Sequence, residues 1–125
     1  AVMTDLYKRV CSRTKESVHV VLKEGEAVVF EDLLLFCPYS EYSPQPGHVF
    51  CDVIDRSEEH VTLRFRTDGI VPMICIEGSR TVCSDNYFFL TAGYDRVIRL
   101  EWLERAGSRT IVVKNLYGDE LWRQE

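Results

Sequence analysis

Between His60 and Thr67 the chain alternates without a break: Val61, Leu63 and Phe65 point one way, Thr62, Arg64 and Arg66 the other. Period two marks a strand with one face against a core and the other in water. Asp68-Gly69 follows at once as a strong turn pair, and Ile70 to Ile76 then runs apolar on both faces. A chain built on that unit has to cover one face of a sheet. Pro72 lies inside the apolar run, so that strand belongs near a sheet edge or at a bulge, because proline gives the ladder no amide donor.

The same rhythm recurs on both sides. Ser17 to Lys23 places Val18, Val20 and Leu22 on one face and Ser17, His19 and Lys23 on the other. Glu24-Gly25-Glu26 is a tight turn, and Ala27 to Phe36 returns, giving a hairpin. Leu33-Leu34-Leu35 suits a helix as well, but Val28, Val29 and Phe30 favour a strand. Pro38, Pro44 and Pro46 make the stretch from Pro38 to Gly47 a long crossing loop. His48 to Ile54 reads as a strand, followed by polar turns at Asp55–Glu59 and, further on, at Glu77-Gly78-Ser79.

A turn at Thr91-Ala92-Gly93-Tyr94 hands over to Arg96–Leu103, with Ile98, Leu100 and Trp102 in one register. Glu104 to Ser108 turns again, Arg109 to Leu116 is the last strand with Ile111 and Val113 inward, and Tyr117 to Glu125 frays. In residues 1–16, Leu6 and Val10 anchor either a first strand or a lead-in. Turn signals every roughly 8–12 residues and no amphipathic helix describe an all-β fold. The expectation is one immunoglobulin-like antiparallel β-sandwich of seven to eight strands spanning residues 1–125. The antibody version is not indicated, since Trp102 lies after every cysteine.

Charge and cysteines narrow the function classes. With 15 basic and 20 acidic residues the net charge is −5, which argues against a nucleic-acid partner. No apolar run approaches the ~18–20 residues of a membrane helix. Five cysteines, Cys11, Cys37, Cys51, Cys75 and Cys83, cannot all pair within one chain. Cys51 and Cys75 read as small core hydrophobes, and free thiols lean toward a reducing, cytoplasmic setting. No spacing suggests a metal or cofactor site.

Glycosidase chemistry needs two facing carboxylates. The carboxylates here sit in turns (Glu24, Glu26, Asp55, Glu58, Glu59) or outward on strands (Glu101), so no catalytic residue is assigned. Ser84-Asp85-Asn86 has two readings. In one, Ser and Asp accept backbone hydrogen bonds and Asn86 takes positive φ, locking a bend that aims Tyr87 and Phe88 into the core. In the other, Asp85 and Tyr87 face a sugar. Tyr94 and Trp122, with Tyr39 and Tyr42 behind them, are the aromatic candidates for sugar stacking, while Trp102 belongs to the core.

The order of apolar strand, Ser84-Asp85-Asn86-Tyr87-Phe88, turn and alternating strand resembles the C-terminal immunoglobulin-like domain of β-mannosidases of glycoside hydrolase family 2. The likeness covers most of the chain and is densest from Asp68 to Trp102. Lys23-Glu24-Gly25-Glu26-Ala27 is similar to that family's early hairpin turn, and Val112-Val113-Lys114-Asn115-Leu116 to its last strand. Phe89 stands where an acidic residue is common, and Thr91-Ala92-Gly93 where Leu-Pro-Gly is commoner. The resemblance implies a non-catalytic domain, excised from a larger glycosidase that removes terminal β-mannose. Its partners would be the catalytic barrel, which holds the acid/base and nucleophile, and the neighbouring β-sandwiches. Rival readings from other classes are a carbohydrate-binding module and an adhesion domain on the same sandwich.

Overall fold

The structure is a computed structural model, and it describes residues 15–38, 41–43, 47–78, 80–103 and 109–124. The stretch with Leu6, Val10 and Cys11, together with Tyr39, Pro44, Pro46, Ser79 and the turn at 104–108, lies outside the described residues. The described residues are all-β, with ten strands and no helix. Where the sequence shows no dividing linker, the contacts group into two compact units, Ala1–Gln45 and Pro46–Glu125.

The first unit is a hairpin of β1 (Ser17–Glu24) and β2 (Ala27–Leu35), paired antiparallel. Gly25 has φ +62 in the two-residue connection between Glu24 and Ala27, the place where a II′ turn requires a residue without a Cβ. A register shift beside Leu22 and Lys23 leaves Val29 without an opposite number. Toward the open end Leu33 is buried, and Tyr42 is fully buried with its hydroxyl donating to Ser17 Oγ at 2.8 Å. Tyr42 is therefore a packing residue, and its expected place among surface aromatics is corrected.

The second unit holds eight strands. They are β3 (Val49–Arg56), β4 (His60–Thr67), β5 (Ile70–Gly78), β6 (Thr81–Cys83), β7 (Phe88–Thr91), β8 (Arg96–Trp102), β9 (Ile111–Asn115) and β10 (Glu120–Gln124). They form two four-stranded antiparallel sheets, in the orders β3-β4-β8-β6 and β10-β9-β5-β7. Lettered along the chain, β3, β4, β8 and β6 take the places A, B, E and D of an immunoglobulin constant domain, and β5, β9 and β10 those of C, F and G. The addition is β7, paired on the outer side of β5.

The core follows from the alternation. Val61, Leu63 and Phe65 of β4 and Ile98 and Leu100 of β8 cluster with Ile74 and Ile76 of β5, Phe88 and Leu90 of β7, and Ile111 and Val113 of β9. One residue from each sheet meets where the Phe65 and Phe88 rings pack edge to face with centroids 5.4 Å apart. Val71 and Ile74 are both buried although they stand three positions apart, a step that puts residues of a regular strand on opposite faces. The β5–β7 register shifts between those two, so Pro72 occupies a bulge in a strand that is not at a sheet edge.

Two short strands go beyond the seven or eight expected. β6 is three residues long, too short to show a period. β10 replaces the expected fraying tail, because the Asn115 side chain builds its turn. Asn115 Oδ1 accepts the amides of Tyr117 at 2.9 Å and Asp119 at 3.0 Å, and Gly118 supplies φ +83. Trp122 then lies opposite Val113 and packs against the core. Cys83 packs there too, while Cys75 pairs with Lys114 on the opposite face, since its neighbours Ile74 and Ile76 both point inward.

The packing predicts a large truncation cost at Phe65, which is fully buried between the sheets. Phe65→Ala is expected to lower unfolding stability by about 3–5 kcal/mol, read from urea denaturation. A loss under about 1 kcal/mol would contradict a core shared by both sheets.

Candidate functional site

The Ser84–Phe88 segment carries the chain from one sheet of the second unit to the other. Ser84 stays on the first sheet: its amide donates to the Arg99 carbonyl at 2.8 Å, and its Oγ accepts the Arg99 amide at 2.9 Å. Asp85 accepts the Asn86 amide at 2.8 Å. Asn86 then grips the second sheet with both ends of its carboxamide. Oδ1 accepts the Ile76 amide at 2.8 Å, and Nδ2 donates to the Ile76 carbonyl at 2.9 Å. The β5–β7 ladder ends at Ile74↔Phe88, so this side chain stands in for the next residue of a paired strand.

Past this grip the two aromatics part. Phe88 is buried, whereas Tyr87 is 65% exposed, which corrects the expectation that both enter the core. Positive φ falls on Tyr87 at +56 instead of on Asn86. Asn86 has to reach Ile76, and its Oδ1 also accepts the Tyr87 amide at 2.9 Å, so the sharp bend comes one residue later. The Tyr87 hydroxyl bonds the Cys75 side chain, and this, followed by charge repulsion, raises the phenol above its ordinary value.

The expected sugar-stacking pair does not assemble. Trp122 is half-buried on β10 and Tyr94 is half-buried beyond β7, at opposite edges of one sheet with β9 and β5 between them. Three strand spacings of about 4.8 Å separate the outer strands.

The expected polar turn between β3 and β4 holds a constellation that its charges alone do not announce. His60 Nε2 is 2.9 Å from Asp55 Oδ2, and His60 Nδ1 is 2.8 Å from Ser57 Oγ. With the proton on Nε2 donated to Asp55 Oδ2, Nδ1 accepts from the Ser57 hydroxyl. The arrangement has the membership of a catalytic triad but not its freedom. Ser57 Oγ already accepts the amides of Glu59 at 3.1 Å and His60 at 3.2 Å, so its lone pairs are engaged. Those amides are also spent on the hydroxyl itself and cannot serve an oxyanion. The cluster locks a turn. Its signal in the sequence is Asp55-x-Ser57-x-x-His60, short polar spacings typical of side chain to backbone bonding.

Three further carboxylates are matched to cations: Glu77 to Lys114 at 3.0 Å, Glu101 to Arg99 at 3.3 Å and Glu120 to Arg123. His48 binds Asp68 twice, through its amide at 2.7 Å and its ring at 3.0 Å. Asp55 is pushed below the usual carboxylate range, chiefly by the His60 hydrogen bond, and Asp68 by the amide and ring of His48. Both move opposite to a glycosidase general acid, which must hold its proton near neutrality. Burial, with Asp52 adding to it, pushes the Cys51 thiol up to about 12, so it is no nucleophile. Among the described residues no group of three His, Cys, Asp or Glu is placed to hold a metal ion, and no helix is long and apolar enough to cross a membrane.

Two measurements check this geometry. Asn86→Ala strips the Ile76 amide and carbonyl of their partner and is expected to cost about 1–3 kcal/mol in urea denaturation; an unchanged midpoint would remove the strap from the account of stability. Asp55 and Asp68 have folded values below their unfolded ones. Their contribution is therefore complete above about pH 4 and is lost as pH falls through the folded values. The Asp55→Asn/Asp68→Asn double variant should lose less stability than the parent between pH 5 and about pH 2; parallel curves would refute the linkage.

Comparison of the chain with models of protein families, with curated proteins and with solved structures returned no match, so the site is read from its geometry alone.

Proposed function

We propose that the chain is a non-catalytic, immunoglobulin-like domain of a β-mannosidase-like glycoside hydrolase, bracing the barrel that splits terminal β-mannose. The observation that carries this reading is the Ser84–Phe88 strap. The residues that resemble the family are the ones that fasten the two sheets, Ser84 to Arg99 and Asn86 to Ile76. A structural task accounts for them fully. The cation-matched carboxylates and the saturated Ser57 hydroxyl support leaving the hydrolytic chemistry to another part of the parent.

One observation favours a second reading, a carbohydrate-binding module: the Tyr87 ring stands 65% exposed, two residues beyond exposed Asp85. Calorimetric titration with mannose and manno-oligosaccharides separates the two. The bracing role predicts no saturable heat, whereas saturation abolished by Tyr87→Ala would establish the module. The isolated chain is also expected to leave aryl β-mannosides intact, and turnover lost on replacing one of its own carboxylates would overturn the non-catalytic role. A parent reading frame without a (β/α)8 barrel would overturn the glycosidase assignment.

A further inference from the structure

The outer face of the β3-β4-β8-β6 sheet contains a charge mismatch that neither the core nor the turns require. Arg64 and Arg66 stand two residues apart on the solvent side of β4, opposite Asp52 and Phe50 of β3. Both guanidiniums turn to one carboxylate oxygen: Asp52 Oδ2 is 3.6 Å from Arg64 Nη2 and 3.5 Å from Arg66 Nη2. Those separations are longer than a good hydrogen bond, so neither contact is a closed pair.

Elsewhere on this face Arg99 pairs with Glu101 at 3.3 Å. Here two cations share one acid. Arg64 Nε is buried without a hydrogen-bond acceptor among the described residues. The Arg66 guanidinium lies over the Phe50 ring at 5.8 Å, which restricts its plane. The side chains of Arg64, Arg66 and Asp52 are 41%, 46% and 47% exposed, so a ligand can reach them.

We propose that Arg64 and Arg66 form a docking site for an acidic segment of a partner protein, one of whose carboxylates displaces Asp52. The chemistry follows from the donor set. Two adjacent guanidinium forks suit bidentate carboxylates, and Arg desolvates at lower cost than Lys. Phe50, 47% exposed, and Val97, 55% exposed, border the site with apolar surface for the segment's flanks. The chain as a whole is acidic at −5, so attraction must come from this local excess of positive charge. Asp52 serves as an internal competitor that holds the guanidiniums in place until a better acceptor arrives. The inference is independent of what the parent hydrolyses.

The test is a heteronuclear NMR titration of the whole chain at low ionic strength, following the arginine Nε–H signals. The probes are a capped hexaglutamate peptide, succinate and a capped hexalysine peptide. The expected result is a saturable shift of Arg64 and Arg66 with hexaglutamate, lost in Arg64→Gln/Arg66→Gln. It should tighten about two- to fivefold in Asp52→Asn, as removal of an exposed competing charge predicts. Thermal unfolding of each variant confirms that the fold is kept. The proposal is overturned by no shift at these two arginines, or by a shift spread equally over Arg99 and Arg123. It is overturned as well by succinate binding as tightly as the peptide, by an equal response to hexalysine, or by weaker binding in Asp52→Asn.

Discussion

Passing a chain between two packed sheets is costly, because the crossing residues leave the ladders while their backbone groups approach a dry core. Among the described residues, the β6–β7 crossing meets that constraint with side chains. Asn86 offers Ile76 a carbonyl and an amino group in the spacing of a peptide, and Ser84 does the same for Arg99 with its own amide and hydroxyl. The strap lets β7 leave the first sheet and lie against β5, placing Phe88 edge-on to Phe65. The left-handed turn at Tyr87 follows from the same grip. A bulky residue is held there against its preference, because moving the bend would pull Asn86 off Ile76.

How much of this is legible in the sequence depends on the length over which each interaction acts. The hairpin, β4 and β8 are legible because period-two alternation over seven or more residues fits little besides a half-buried strand. The Pro72 bulge is legible as one of two options, and pairing with β7 decides between them. β6 is not legible, since three residues have no period and Thr81–Cys83 is a strand only because Leu100, Glu101 and Trp102 lie alongside. β10 escapes for a different reason. Its charges suggest a solvent-facing tail, while the turn that folds it back is spelled only in Asn115-x-x-Gly118, a signal of side-chain chemistry with no hydrophobic period.

The site loses resolution in the same way. That Ser84-Asp85-Asn86 fixes a bend follows from side-chain chemistry, but the partners Ile76 and Arg99 are tertiary, and they determine which aromatic turns outward. The Asp55–Ser57–His60 cluster is local, so its members are visible in the sequence. Charges in turns are so commonly solvated that three short polar spacings do not distinguish it from an ordinary turn. What it can do depends on the lone pairs left at Ser57 Oγ, which only the folded geometry decides.

What the sandwich offers a partner follows from how its sheet borders are built. Outer strands invite another chain to add itself through main-chain pairing unless they are short, charged or bulged. β6 has three residues and β7 four, and β10 carries Glu120 and Arg123. β3 is long enough to be a hazard at eight residues, yet its register breaks between Val53 and Asp55, with Asp52 and Asp55 along it. Every border of the two sheets is thus defended by at least one of these devices. Recognition on this unit is therefore left to side chains on a sheet face, where a partner has to satisfy particular donors instead of a generic row of amides. On the β3-β4-β8-β6 face Arg64 Nε lacks an acceptor among the described residues, and Arg64 and Arg66 share the one carboxylate of Asp52.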